Sequence, residues 1–160
     1  MINIYFKKRK SIKQVEESTD LAPKFDKNGL IPVVTTDFKS GEVLMQGYMN
    51  KKAFQKTIEI GEAVYYSRSR KKIWHKGKTS GFVQVIKNIY IDDDQDSVWL
   101  KVKVKGGASC HVGYRSCFYR SLTFGKKINK KNKILLKFTE KKKVFNPKKV
   151  YGNSANPTKL

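Results

Sequence analysis

Apolar and polar positions follow regular patterns mainly between residues 25 and 120. The β-branched run Leu30-Ile-Pro-Val-Val-Thr-Thr36 predicts a strand, Asp37 to Gly41 a turn, and Glu42 to Met45 a second strand that completes a hairpin. A helix is predicted from Asn50 to Ile60. Asn50 is a good N-cap, Met49 and Phe54 are placed to form a hydrophobic staple, and Gly61 stops the run. Ala63 to Tyr66 reads as a short strand. Phe82–Ile86 and Asn88–Ile91 read as two strands or one with a bend. From Val98 to Lys105 apolar residues alternate with lysine, except where Trp99 and Leu100 adjoin, which predicts a half-buried strand with one wet face. Beyond residue 120 the one weak strand candidate is Ile134 to Phe138, and the chain after Pro147 is expected to be disordered. No internal repeat is present. The pattern gives an α+β, mostly β fold: a compact mixed or antiparallel sheet with one main helix. A basic extension (1–24) precedes it, and a Lys-rich, partly disordered one (121–160) follows.

Composition narrows this picture. The length of 160 residues suits one domain with tails, and 39% hydrophobic with 12% aromatic residues is enough for a core. That excludes a fully disordered basic chain. No apolar run approaches the ~20 residues of a membrane span. The first ten residues place charge after a very short apolar run, the reverse of a secretory signal. Two cysteines, Cys110 and Cys117, are too few for a disulfide framework. The expectation is a soluble protein of the cytoplasm with no membrane partner.

The net charge of +22 points at first to nucleic acid. Yet 30 of the 35 basic residues are lysine, and arginine occurs only at 9, 68, 70, 115 and 120. Phosphate recognition favours the bidentate arginine fork, and a lysine excess is equally a result of codon bias. Residues 121–160 alone carry a net +11. A basic nucleic-acid-binding β protein is therefore the rival reading, and specific nucleic-acid binding is not expected.

Three groups of residues could carry chemistry. The first is Asp92-Asp93-Asp94-Gln95-Asp96, which holds four of the 13 acids. If extended, it turns Asp92, Asp94 and Asp96 to one face, where hard divalent ions such as Mg²⁺ would relieve their repulsion. A polar hairpin tip is the plainer alternative. The second is Cys110-His111 with Cys117, whose thiolates and imidazole suit Zn²⁺. The alternative is two buried free cysteines, although Gly106, Gly107 and Gly113 favour an irregular loop. The third runs from Ser67-Arg68-Ser69-Arg70 through Trp74 and Lys76 to Thr79 and Ser80. Its hydroxyls, cations and glycine amides could receive phosphate, or it is a solvated basic loop.

Taken in order, the chain resembles the phosphoribosyl-AMP cyclohydrolase family of histidine biosynthesis, in its monofunctional form. The matching residues are Phe25-Asp26, Gly29-Leu-Ile-Pro32, Gly41-Glu-Val-Leu-Met45, Tyr48-Met-Asn50 and Tyr66-Ser-Arg-Ser-Arg70. Trp74, Lys76-Gly77, Thr79-Ser-Gly81, the acidic cluster, Ala108-Ser-Cys-His111 with Gly113, and Arg115-Ser-Cys-Phe-Tyr-Arg120 complete them. The resemblance implies a hydrolase that opens the adenine ring of 1-(5-phosphoribosyl)-AMP between N1 and C6 with metal-activated water. The product is the opened phosphoribosylformimino-AICAR phosphate.

It also implies a roll or pseudobarrel in an intertwined homodimer. The family's acidic pattern is Asp-Cys-Asp-x-Asp, whose aspartates bind Mg²⁺, and this carries over to Asp92, Asp94 and Asp96. The family's zinc is held by the cysteine of that loop and two later cysteines, drawn from both subunits. The later two match Cys110 and Cys117, but Asp93 stands where the loop cysteine would be. A carboxylate ligates zinc at ~2.0–2.2 Å against ~2.3 Å for thiolate. The charge is kept and the donor is harder, so a weaker, more exchangeable site is expected. In the alternatives His111 completes the site, or the protein is an inactive relative. With such a substrate, the cations of Arg68, Arg70 and Lys76 and the hydroxyls of Ser67, Ser69, Thr79 and Ser80 are expected to receive its phosphates. Trp74 stacks on the base or packs. His111 is the candidate for proton transfer, or else only orients a ligand.

Overall fold

The computed structural model describes residues 3–125, 128 and 134–158. Strand β1 (Leu30–Asp37) and strand β2 (Val43–Asn50) form the expected hairpin, in register from Leu30 opposite Asn50 to Thr36 opposite Val43. The second strand runs on to Asn50 instead of ending near Met45, because Leu44, Met45 and Met49 all enter the core. After helix α2 (Lys51–Ile60) come a small hairpin, β3 (Val64–Ser67) with β4 (Lys72–His75), then β5 (Gln84–Ile91) and β6 (Val98–Val104). The main sheet has the order β2-β1-β6-β5, with β1 and β6 parallel and the other pairs antiparallel. It is a mixed sheet with few helices, in keeping with the α+β expectation. β5 is a single strand with a bulge between Ile86 and Asn88.

Local chemistry explains α2. The Asn50 side chain accepts from Ala53 N at 2.8 Å, and Gly61 closes the helix in the left-handed region at φ 66°. Ala53, Phe54 and Thr57 turn inward, and Val64 N donates to Thr57 Oγ1 at 3.0 Å, which fixes β3 against the helix. The core joins Phe54 and Met49 to Ile31, Val33, Leu44, Tyr65, Val98, Leu100 and Val102. Three β6 members of that set alternate with outward residues, as the lysine alternation predicts.

Both flanking segments contain more structure than periodicity shows. Helix α1 (Ile12–Glu17) is capped by Ser11. Strand β7 (Arg120–Leu122) pairs with β8 (Leu136–Phe138), within the predicted Ile134–Phe138 segment. Past Pro147, where disorder was expected, a short helix α3 (Pro147–Tyr151) forms, because Asn146 caps it and proline occupies its first turn. Among the described residues no helix is long and apolar enough to cross a membrane.

Candidate active site

The acidic residues lie in the turn between β5 and β6. They are not extended, and this corrects the alternation argument, although the same three residues converge. Gln95 takes a left-handed conformation (φ 58°), and Asp92 Oδ1 accepts the amides of Asp96 at 2.9 Å and Ser97 at 3.0 Å. The turn so closed gathers ligand oxygens of Asp92, Asp94 and Asp96 within 4.8 Å of one another. Burial, then the charges of Asp94 and Asp92, raise the Asp96 pKa. Lys24, 4.0 Å from Asp96, is the nearest counter-charge found. Three hard oxygens held together at the surface fit a divalent cation such as Mg²⁺. Asp93 is not part of this group. It is exposed, and within the chain it does not join the two cysteines in a three-ligand group among the described residues.

The cysteines lie in a second closed loop, 108–117. Ser109 N donates to Arg115 O at 2.9 Å, and Gly113 N to Cys110 O at 3.1 Å, so the seven-residue spacing doubles back on itself. Gly113 has φ 106°, and a Cβ there would meet Phe145 O at 2.6 Å. The loop is anchored to β2 through Cys117 N on Leu44 O at 2.7 Å and Ser116 Oγ on Val43 O at 2.7 Å. Cys110 is buried and Cys117 exposed. A hydrogen bond from the Cys117 thiol is the largest influence on Cys110. With the amides of Val112 and Tyr114 and the charge of Lys76, it brings the Cys110 pKa down to about 6. The same pairing pushes Cys117 up. One thiolate sharing the proton of its neighbour is a soft two-sulfur donor pair and fits Zn²⁺.

Lys76 belongs with this loop. It is only 6% exposed, and its Nζ donates to Ser109 O at 2.5 Å. Burial lowers its pKa, and the two cysteines oppose that shift. The neighbouring Gly77 is required, since at φ 84° an added Cβ would lie 2.2 Å from the Phe82 carbonyl carbon. Below the loop runs a buried polar chain. Tyr65 OH bridges Thr35 Oγ1 at 2.6 Å and Gln84 Oε1 at 2.8 Å, and Gln84 Nε2 donates to Ser109 Oγ at 3.1 Å. His111 is half-buried, and its Nε2 is enclosed with no hydrogen-bond partner. Burial first, then the Lys76 charge, lower its pKa, while a hydrogen bond with Asn156 opposes them.

The third group divides. Arg68, Ser69 and Arg70 are exposed in the β3–β4 turn, where Ser67 Oγ accepts from Arg70 Nε at 3.2 Å and Arg68 lies over the Tyr48 ring at 4.1 Å. Trp74 connects this turn to the thiol loop, with Arg70 5.4 Å and Lys76 Nζ 4.9 Å from its ring centre. Thr79 is exposed in the following turn, and Ser80 Oγ accepts from Phe82 N at 3.3 Å.

Sequence reasoning missed Glu140. Its carboxylate accepts Arg115 N at 2.8 Å and Ser116 N at 2.9 Å, and so fixes the backbone entering Cys117. The signal was available, because Glu140 is the sole acid in residues 121–160.

A family model described as phosphoribosyl-AMP cyclohydrolase matches residues 45–119. Curated relatives bearing that name include one from Rhodopseudomonas palustris, 49% identical over 138 residues, which cover 86% of this chain and 89% of the relative. One from Nitrobacter winogradskyi is 46% identical over 142 residues, 89% of this chain and 94% of its own. One from Desulforapulum autotrophicum is 50% identical over 123 residues, 77% and 91% respectively.

Proposed function

The chain belongs to the phosphoribosyl-AMP cyclohydrolase family, a hydrolase family of histidine biosynthesis, and we propose that it opens the adenine ring of 1-(5-phosphoribosyl)-AMP at N1–C6 with zinc on the thiol loop and magnesium on the acidic turn. The observation that carries the metal assignment is the separation of donors into two preformed sets, paired thiols in one loop and three carboxylates in the other. Cys110 and Cys117 hold the zinc, and Asp93 of the partner subunit is the third donor in an intertwined homodimer of roll-like subunits. Zinc in such a site is a Lewis acid that makes a water reactive near neutral pH.

The chain's own groups do the rest. Lys76 balances the thiolate charge from a fixed position. His111 is kept neutral by burial and by Lys76, so its enclosed Nε2 accepts the proton as water oxygen bonds to C6. It returns that proton to N1 as the N1–C6 bond breaks, and the second water proton passes from the C6 hydroxyl to the exocyclic nitrogen as C6 becomes the carboxamide, so one water is added overall. Arg68 and Arg70, with the hydroxyls of Ser67, Ser69, Thr79 and Ser80, receive the substrate's phosphates, and Trp74 stacks on the base. Asp92, Asp94 and Asp96 hold the cation that neutralises phosphate charge. The reaction belongs to the cytoplasm. The basic excess of the tail attracts a polyanionic substrate and is not a nucleic-acid interface.

Cys110→Ala and Cys117→Ala should each release zinc and abolish the ultraviolet change of ring opening. Full activity of either variant in chelator-treated buffer would reject the zinc assignment.

A further inference from the structure

The basic N-terminal segment takes no part in the chemistry above, yet much of its hydrogen bonding meets one residue of the acidic turn. Gln95 is 5% exposed. Its Oε1 accepts Ala22 N at 2.8 Å, and its Nε2 donates to Val15 O at 2.9 Å and Asp20 O at 3.0 Å. Both amide protons are thus placed. The Gln95 carbonyl accepts Lys24 N at 2.7 Å, and its own amide donates to Asp92 O at 3.1 Å. One residue further back, Arg9 Nη1 donates to Asp94 O at 2.9 Å and to Ala22 O at 2.8 Å. Arg9 and Gln95 together tie residues 9–24 to the turn.

The backbone of Gln95 is left-handed, a conformation that glycine adopts at lower cost. A glutamine here is explained by its side chain, which anchors the turn to Val15, Asp20 and Ala22. Those carboxylates repel one another, and an unanchored turn would relax by separating them.

We propose that Gln95 is a positioning residue for the divalent-cation site. It locks the turn onto residues 9–24 and holds Asp92, Asp94 and Asp96 at ligating separation before the cation arrives. The inference rests on the reading of this turn as a cation site. Groups behind metal ligands commonly set affinity by about 10–100-fold.

The test uses the full chain, freed of metal at the acidic turn, titrated with Mn²⁺ as the probe and read by calorimetry and by its paramagnetic resonance. Melting temperature and thiol-bound zinc are measured in parallel. The wild type should bind Mn²⁺ and Asp94→Asn should not. Gln95→Gly keeps the backbone conformation, removes the anchor, and should lose about tenfold or more in Mn²⁺ affinity with its zinc retained. Gln95→Glu keeps the acceptor for Ala22 N but not the two donors, and should fall between. Arg9→Met leaves the buried amide intact and should weaken Mn²⁺ binding less than Gln95→Gly. Wild-type affinity in Gln95→Gly overturns the proposal, as does a parallel loss of Mn²⁺ and zinc. If Gln95→Gly does not fold, unchanged affinity in Arg9→Met overturns it. Wild-type protein whose Mn²⁺ binding is absent or insensitive to Asp94→Asn overturns the cation reading itself, and the inference with it.

Discussion

The acidic turn and the thiol loop are built alike and charged differently. Each is a short irregular segment closed by its own backbone hydrogen bonds, and each is braced by one of the chain's extensions. Gln95 joins the acidic turn to the N-terminal segment, and Glu140 joins the thiol loop to the C-terminal one. The thiol loop carries its counter-charge within it, as the buried Lys76 ammonium beside both cysteines. The acidic turn has the Arg9 guanidinium on its Asp94 carbonyl, but among the described residues the one ion pair to its carboxylates is Lys24, 4.0 Å from Asp96. A buried site must supply charge balance from the protein, since an uncompensated ion there costs several kcal/mol. An exposed one can draw its cation from solution. The contrast matches a soft-donor loop that is partly buried, at Cys110, and a hard-donor turn that lies at the surface.

The strongest way to break this comparison is through Glu140, the thiol loop's brace. Glu140→Ala leaves the amides of Arg115 and Ser116 without their acceptor. Charge-assisted bonds of this kind, discounted for partial exposure, are worth about 2 kcal/mol together, or a fall of about 5 °C in Tm. Zinc should be lost more readily while Mn²⁺ affinity at the acidic turn stays the same. Glu140→Gln keeps an acceptor and should lie between. A variant that loses both metals in step would show that the two loops are not independently braced. The tail is therefore part of the site, and truncation at residue 120 should not spare activity.

These features differ in how readable they were from the sequence. Helix α2 was legible because Asn50 and Gly61 act on their own neighbours. The convergence of Asp92, Asp94 and Asp96 was foreseen from a strand's period of two, but a turn produces it, with Asp92 folding back on the amides of Asp96 and Ser97. The meeting of Cys110 and Cys117 has no periodicity behind it; donor chemistry made them a zinc candidate, and the family resemblance strengthened the pairing. Lys76 read as one more cation of a basic loop, because lysine is rarely buried without a paired charge. Its place under Ser109 depends on the tertiary fold, as does Glu140, whose partners lie 24 and 25 residues away in sequence. The α3 segment was set aside because lysines mask the packing of Phe145 on Phe82 and Tyr151.

A smaller effect sharpens the boundary between the loops. Asp93 sits on the acidic turn, but the proposed homodimer assigns it to the zinc of a second subunit. Asp93→Cys gives that zinc a third sulfur, and softer donors favour it. Zinc affinity should rise by about tenfold, with Mn²⁺ binding and Tm little changed, as measured by competition with a chromophoric chelator. Unchanged zinc affinity would remove Asp93 from the ligand set and leave the acidic turn with one metal only.

The smallest effect tests whether the acidic turn lacks its counter-charge, and it depends on pH. Burial and the neighbouring carboxylates raise the Asp96 pKa above its unfolded value. The folded state therefore holds its proton more tightly than the unfolded chain does. Stability from this group is present below the ordinary carboxylate range and is lost as pH rises through the raised value. The repulsion from Asp94 and Asp92 that raises Asp96 is a penalty a bound cation removes. Mg²⁺ at about fivefold excess over its Kd should add about 1 kcal/mol, or about 3 °C in Tm, at pH 7. Below the carboxylate range the increment should vanish, because protons then occupy the same oxygens. Asp94→Asn should abolish the Mg²⁺ increment at every pH. It should also raise the metal-free Tm slightly at pH 7, since one of three like charges is gone. The thiol loop, with Lys76 in place, should show no Mg²⁺ response. A Mg²⁺ increment that persists in Asp94→Asn would place the cation elsewhere and remove the contrast between the two loops.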